Sequence, residues 1–303
     1  MTQSVLILGS QGKIGSHAAT AFAEAGWKVR CFNRATDTMT DAALGVDVIV
    51  NGLNPPMYHD WDTLIPAITD QVIEAAQASG ATVILPGNVY NFGAWTGEMN
   101  EHTPQRPNTR KGAIRVAMEA RYKAAGVRTL VLRAGNLIDP NGNGDVMSAV
   151  LMRGGTRVTA PGDPNAHQAY AYTPDWARAA VMLAEQRDKW ATFEDVPFPG
   201  HSFTYSDLLA HVNARTGKSH SLRSFPWWGV TMLSPFIEVA RELREMRYLW
   251  GLDHWVGAEK FNRLLPDFEA TPLATVMDAG LPDTTTPSVA AVEGLHPQTV
   301  SVT

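Results

Sequence analysis

The sequence predicts an α/β fold in which a parallel sheet is covered by helices on both faces. Three observations carry this. Short apolar, β-prone runs alternate with stretches of helical period; the runs are apolar almost throughout, as strands buried on both faces are; and glycines mark the turns between them. With 303 residues, 45% of them apolar, the chain can bury a substantial core, which excludes disorder for most of its length.

The elements follow in order. Residues 4–8, Ser-Val-Leu-Ile-Leu, form the first such run and end at Gly9. From Lys13 the period changes: Ile14, Ala18, Ala21, Phe22 and Ala25 recur at helical spacing, and Gly26 supplies the stop. Further strands are expected at residues 28–32, 46–50, 82–85 and 129–132, with helices over about 63–78 and 114–125. Only residues 33–45 separate the second and third strands, so a reduced or missing element is expected at that edge of the sheet. After Asp139, residues 140–144 (Pro-Asn-Gly-Asn-Gly) are turn chemistry, and later segments are short, proline-punctuated and tryptophan-rich. Residues 175–185 return to helical period and to the first domain. The expected division is therefore residues 1–190 for a first domain, with 141–170 also contributing to a second. Residues 191–282 make a smaller mixed α/β cap, and 283–303 a loosely ordered tail. In the cap, Phe236, Val239, Ala240, Leu243, Met246 and Trp250 mark a core stripe, with Glu238, Arg241, Glu242, Arg244 and Glu245 on a solvated face.

Composition narrows the function classes. The single cysteine, Cys31, rules out a disulfide framework and is expected to be a buried, inert thiol in the second strand. The nine histidines form no short ligand pair, so no metal site is expected; His59 beside Asp60 and Asp62 reads as a surface turn. No apolar run is long enough to span a membrane, the first residues lack a signal-peptide pattern, and a net charge of −5 offers no basic face for nucleic acid. A soluble, cytoplasmic protein acting on a small molecule is the expectation.

The segment Gly9-Ser-Gln-Gly12-Lys-Ile-Gly15 joins the first strand to the first helix. Gly9 permits the tight turn, Gly12 lets backbone approach a pyrophosphate, and Gly15 allows close helix–strand packing. The helix start presents unpaired N–H groups and a partial positive charge to the phosphates, so Gln11, Lys13 and Ile14 join the three glycines as expected cofactor contacts. At the end of the second strand, Asn33 carries no charge to repel a 2′-phosphate and Arg34 can pair with one, so NADP is expected over NAD.

Together these residues resemble the extended branch of the short-chain dehydrogenase/reductase superfamily, the NAD-dependent epimerase/dehydratase family, whose glycine spacing is GxxGxxG. Three more segments agree: Val89-Tyr90 within Leu85-Pro-Gly-Asn-Val-Tyr-Asn-Phe-Gly93, Leu132-Arg-Ala-Gly-Asn-Leu-Ile138, and Tyr172-Thr-Pro-Asp-Trp-Ala-Arg178. The resemblance spans about residues 4–281 and is specific in the cofactor half, diffuse in the other. It implies a Rossmann-type doubly wound sheet, a C-terminal substrate cap, and a cofactor at the carboxyl ends of the strands. Gly52, Leu53, Asn54, Pro86 and Asn136 would wall that cofactor. It also suggests a homodimer through the helices near 63–78 and 114–125.

The family's catalytic Tyr-x-x-x-Lys pair is missing: no tyrosine has a lysine four residues later. Alignment on Glu119 puts Lys111 at the tyrosine position and Arg115 at the lysine position, while the Ser/Thr position falls near Pro86. Tyr90 then offers a phenol, Lys111 a desolvated proton donor, and Arg115 a hold on the nicotinamide ribose. Asn88, Trp227 and Trp228 are the expected substrate contacts, and the apolar Phe225-Pro-Trp-Trp228 segment favours a small apolar or aromatic substrate. Three functions are in play: an NADP-dependent reductase of a carbonyl or polarised double bond, a non-catalytic NADP(H) redox sensor, and a nucleotide-sugar epimerase or dehydratase.

Overall fold

The computed structural model describes residues 2–141 and 158–281; the expected turn at 142–144 and the tail from 283 lie outside the described residues. The first half alternates as anticipated: β1 (Ser4–Leu8), α1 (Lys13–Glu24), β2 (Lys28–Cys31), α2 (Met39–Ala43), β3 (Val48–Asn51), α3 (Trp61–Ser79) and β4 (Thr82–Gly87). Then come β5 (Gly97–Met99), α4 (Arg110–Ala124), β6 (Thr129–Arg133), β7 (Asn136–Ile138), β8 (Val158–Ala160), β9 (Gln168–Tyr172) and α5 (Thr173–Ala184). The remainder is β10 (Phe193–Pro197), β11 (His201–Phe203), α6 (Tyr205–Thr216), β12 (Leu222–Ser224), α7 (Trp227–Leu233), α8 (Glu238–Glu245), β13 (His254–Val256), α9 (Glu259–Leu264) and α10 (Leu273–Ala279).

Six strands form one sheet in the order β10-β6-β4-β3-β1-β2, with every pair parallel. Alternate side chains of a strand face opposite layers, which explains the unbroken apolar runs. Val5 and Ile7 join Phe22, Trp176 and Ala180 under α1 and α5, whereas Leu6 and Leu8 join Trp61, Ile65 and Val72 under α2, α3 and α4. Each fully buried side chain of this kind contributes roughly 1.5–3 kcal/mol. The short link after β2 holds only α2, and β2 is the sheet edge, so the reduced element falls where the spacing put it.

That edge position corrects one expectation. Cys31 lies on a strand with little cover and is exposed rather than buried. The expected boundary near residue 190 also shifts. β10 pairs with β6, and Phe261 and Leu265 around α9 bury in the α1/α5 core, so the chain returns to the first domain twice after residue 191. The smaller sheets, β11-β9-β7 and the pair β12-β8, go with a second core containing Ile138, Tyr170, Phe203, Tyr205 and Trp250. Tyr170 and Phe203 stack with centroids 4.0 Å apart.

The amphipathic stripe around α8 is corrected at two places. Phe236, assigned to the core, is 87% exposed, and Glu242, assigned to solvent, is 1% exposed. The second reversal has a physical cause that belongs to the site.

Candidate functional site

The glycine turn is built as its spacing requires. Gly9 has φ +72°, a left-handed conformation that glycine adopts without steric cost, and its carbonyl accepts from the Gly12 N–H at 2.9 Å. A Cβ on Gly15 would sit 2.1 Å from the Gly9 oxygen, and one on Gly52 would sit 2.8 Å from the Leu8 oxygen. The β1–α1 turn is thus pressed against the carboxyl end of β3. α1 starts with no side-chain cap and no acidic residue in its first turn, so its N–H groups face outward without a competing carboxylate. Gln11 is exposed and Lys13 half-buried; Ile14 packs its side chain into the core, leaving its backbone as its means of contact. Leu53 donates its N–H to Asn51 at 3.2 Å, Pro86 lies in β4, and the half-buried Asn136 opens β7.

At the end of β2, Arg34 is exposed. Asn33, also exposed, accepts from the Ala35 N–H at 3.1 Å. Asp37 accepts from the Asn33 N–H at 3.0 Å, which places a carboxylate in the same turn as Arg34. Asp37 carries no signal in a scan confined to the strand end.

The replaced catalytic positions both lie in the first half of α4. Lys111 is fully buried. Its ammonium meets the carboxylates of Glu242 and Glu245, the latter at 2.7 Å, and donates to the Glu242 carbonyl at 3.3 Å. Arg110 adds a bond to Glu242 at 2.8 Å and an ion pair to Asp62. Burial pushes the Glu242 carboxyl up, but Lys111 and Arg110 outweigh this and hold it below the usual carboxylate range. Lys111, the expected proton donor, thus has its ammonium paired with two carboxylates of α8. Those two glutamates escaped the sequence reading because charged residues on an amphipathic helix default to solvent.

Arg115 is paired differently. It is 8% exposed, donates from Nη2 to Asn54 Oδ1 at 2.7 Å, and lies 4.6 Å from the Trp61 ring centroid. Its Nη1 is 3.7 Å from the Met118 sulfur, and its Nε has no partner. No carboxylate among the described residues lies within ion-pair distance of it, and burial lowers its pKa below the usual guanidinium value. Asn51, Leu53, Thr69, Pro86 and Met118 join it around a cavity of about 10 Å³, room for one water.

Tyr90 sits in a short turn after β4. Asn88 caps that turn by accepting from the Tyr90 N–H at 2.9 Å, so this expected substrate contact is used locally. Arg133 donates to the Asn88 carbonyl at 2.7 Å and is itself held by Glu119 at 2.8 Å. The Tyr90 hydroxyl lies 3.3 Å from that of Tyr58, a residue whose only sequence signal is its place in a proline-marked loop after the third strand. The expected tryptophan pair is split. Trp227 donates to the Pro161 carbonyl at 2.6 Å, while Trp228 is 73% exposed. Among the described residues, no hydrogen bond or ring contact joins either to Tyr58, Tyr90, Lys111 or Arg115.

The all-parallel six-stranded sheet and the three-glycine turn after its first strand define a Rossmann-type fold. Solved structures agree on that fold. A structure of MoeE5 in complex with UDP-glucose and NAD superposes with a TM-score of 0.72 at 16% identity, covering 92% of this chain and 97% of that one. A nucleoside-diphosphate-sugar epimerase from Pseudomonas aeruginosa gives 0.67 at 14%, covering 92% and 96%. A partial-consensus L-threonine 3-dehydrogenase gives 0.67 at 19%, covering 91% and 97%. No protein-family model matches the sequence, and no curated protein matches it.

Proposed function

We propose that the chain is an oxidoreductase that uses a nicotinamide dinucleotide to reduce a carbonyl or polarised double bond of a small apolar or aromatic molecule, without a Tyr-x-x-x-Lys pair. One observation carries this: the bond from Arg115 to Asn54 joins the glycine cradle to the phenol pocket. Gly9 and Gly15 press against the segment that contains Asn54, and Arg115 shares the Trp61 ring with Tyr58, whose hydroxyl meets that of Tyr90, so a dinucleotide on the turn would have a cation and a phenol at its far end. The residues fit such a group, since α1 is uncapped and the buried Arg115 Nε is unpartnered.

In this reading the α1 start and Gly12 hold the pyrophosphate, while Gly52, Leu53, Asn54, Pro86 and Asn136 wall the cofactor. Arg115 holds the nicotinamide ribose, and Trp228 or its neighbours on α7 meet the substrate. Bound reduced cofactor supplies the hydride. Tyr90 supplies the proton to the substrate oxygen. Arg34 selects NADP, against the opposing charge of Asp37. A homodimer through α3 and α4 belongs to the same reading and is checked by light scattering.

The test is loss of NADPH absorbance with a panel of aldehydes and enones. Tyr90→Phe should lower the rate about 100-fold; an unchanged rate removes Tyr90 from the reaction. A second reading, nucleotide-sugar epimerisation, is favoured by the solved structures of nucleotide-sugar enzymes with this fold. Calorimetry with UDP-glucose separates the two: binding supports the sugar nucleotide, and its absence leaves the reductase reading.

A further inference from the structure

Tyr58 and Tyr90 are 32 residues apart in sequence, yet their hydroxyls lie 3.3 Å apart. Tyr58 reaches that place at a conformational cost. Met57, Tyr58 and Asp60 have φ of 53°, 64° and 44°, and they are the only non-glycine residues with positive φ among those described. Such backbone persists only where its surroundings enforce it. Here Trp61 meets the Tyr58 ring edge-on at 5.0 Å, and Lys111 lies 4.8 Å from its centroid. Arg115 lies over the same Trp61 ring, 4.6 Å from its centroid, and its buried Nε has no hydrogen-bond partner.

We propose that Tyr58 is a catalytic residue alongside Tyr90, and that the Tyr58 hydroxyl and the Arg115 charge together stabilise the phenolate that Tyr90 becomes on giving up its proton. This rests on the oxidoreductase reading above. As hydride reaches the carbonyl carbon, the C=O π pair moves onto oxygen and takes the Tyr90 proton, so the substrate is reduced and the nicotinamide oxidised. The Tyr90 phenolate that remains accepts a hydrogen bond from Tyr58 and is later reprotonated from water. The neighbouring Tyr90 phenol, together with burial, holds the Tyr58 phenol well above the ordinary range, which keeps Tyr58 protonated and donating. The other groups acting on the pair are Lys111 and Arg115 from α4, Glu242 from α8, and Tyr248, whose phenol burial and Tyr90 push up to about 12; Glu119 and Tyr122 of α4 act on Arg115.

The experiment titrates carbon-labelled tyrosine by NMR in the full chain without cofactor, with Tyr90 assigned by its loss in Tyr90→Phe. Tyr58→Phe and Arg115→Met should each raise the Tyr90 midpoint, Arg115→Met by about one pH unit. Arg115→Lys, which keeps the charge, should restore most of it. With NADPH and a responsive substrate, Tyr58→Phe should lower kcat about tenfold, leave the cofactor KM within about twofold, and move the alkaline limb of the rate profile. A Tyr90 midpoint unmoved in both variants, with folding confirmed by circular dichroism, overturns the proposal. If the wild type consumes no reduced cofactor but the midpoint shifts persist, the oxidoreductase reading falls and the phenol pair stands.

Discussion

The glycine turn and the phenol–arginine pocket lie at the same ends of the same sheet, yet they are specified in opposite ways. The turn occupies seven consecutive residues, and its demands are backbone demands: a left-handed Gly9 and a Gly15 whose Cβ would lie 2.1 Å from an oxygen. The pocket draws on the loop before α3, the turn after β4, the start of α4 and the cap helix α8. Its decisive contacts join residues up to 134 positions apart, as between Lys111 and Glu245. Local backbone chemistry can be read from a string of letters; charge pairing across a fold requires the fold first.

The largest effect should come from breaking the pocket's anchor. Lys111→Met leaves Glu242 buried with only Arg110 and Arg241 for charge, and should cost about 3 kcal/mol, the lower end for a buried pair. Urea unfolding measures it. Lys111→Met combined with Glu242→Leu should recover most of the loss, and a double variant no better than the single would show that packing rather than charge holds α8. Next comes the turn. Gly15→Ala forces a Cβ against the Gly9 carbonyl and should cost about 2 kcal/mol together with cofactor affinity, read by thermal unfolding and calorimetry. Smaller still is cofactor choice. Arg34→Ala should weaken NADP about tenfold, about 1.4 kcal/mol, with NAD little changed, whereas Asp37→Asn should favour NADP. Equal losses for both dinucleotides in Arg34→Ala would separate Arg34 from the 2′-phosphate. The subtlest effect is on pH dependence. Glu242 is held below its ordinary value, so its contribution is present above about pH 4.3 and is lost as pH falls through the lower folded value. Glu242→Gln should flatten the acid side of the stability curve in that window, measured as the urea midpoint against pH.

Much of the fold was legible because period and turn chemistry are local. Strands β1, β2, β3, β4 and β6, helices α1, α3 and α4 and the short connection after β2 all followed from apolar runs and glycine stops, whereas the three-residue β5 and β7 carry no such run. The site was legible only where a motif was contiguous. Arg115 and Lys111 could be located by aligning a missing pair, but their fates could not. Lys111 meets glutamates that an amphipathic wheel had assigned to water, and Arg115 bonds Asn54 with its Nε unpartnered. Tyr58 was invisible for a related reason, since nothing in Pro55-Pro-Met-Tyr58 announces a left-handed backbone that swings a phenol to Tyr90.

The open edge of the sheet has a practical consequence. Cys31 is the chain's sole thiol, stands uncovered on β2, and is in register with Ile7, two residues before the glycine turn begins. A maleimide dye can therefore be attached to the unmutated protein at one defined point on the strand beside that turn. If a dinucleotide binds the turn as proposed, the dye's emission would report its arrival in real time, giving the molecule a ready-made optical sensor.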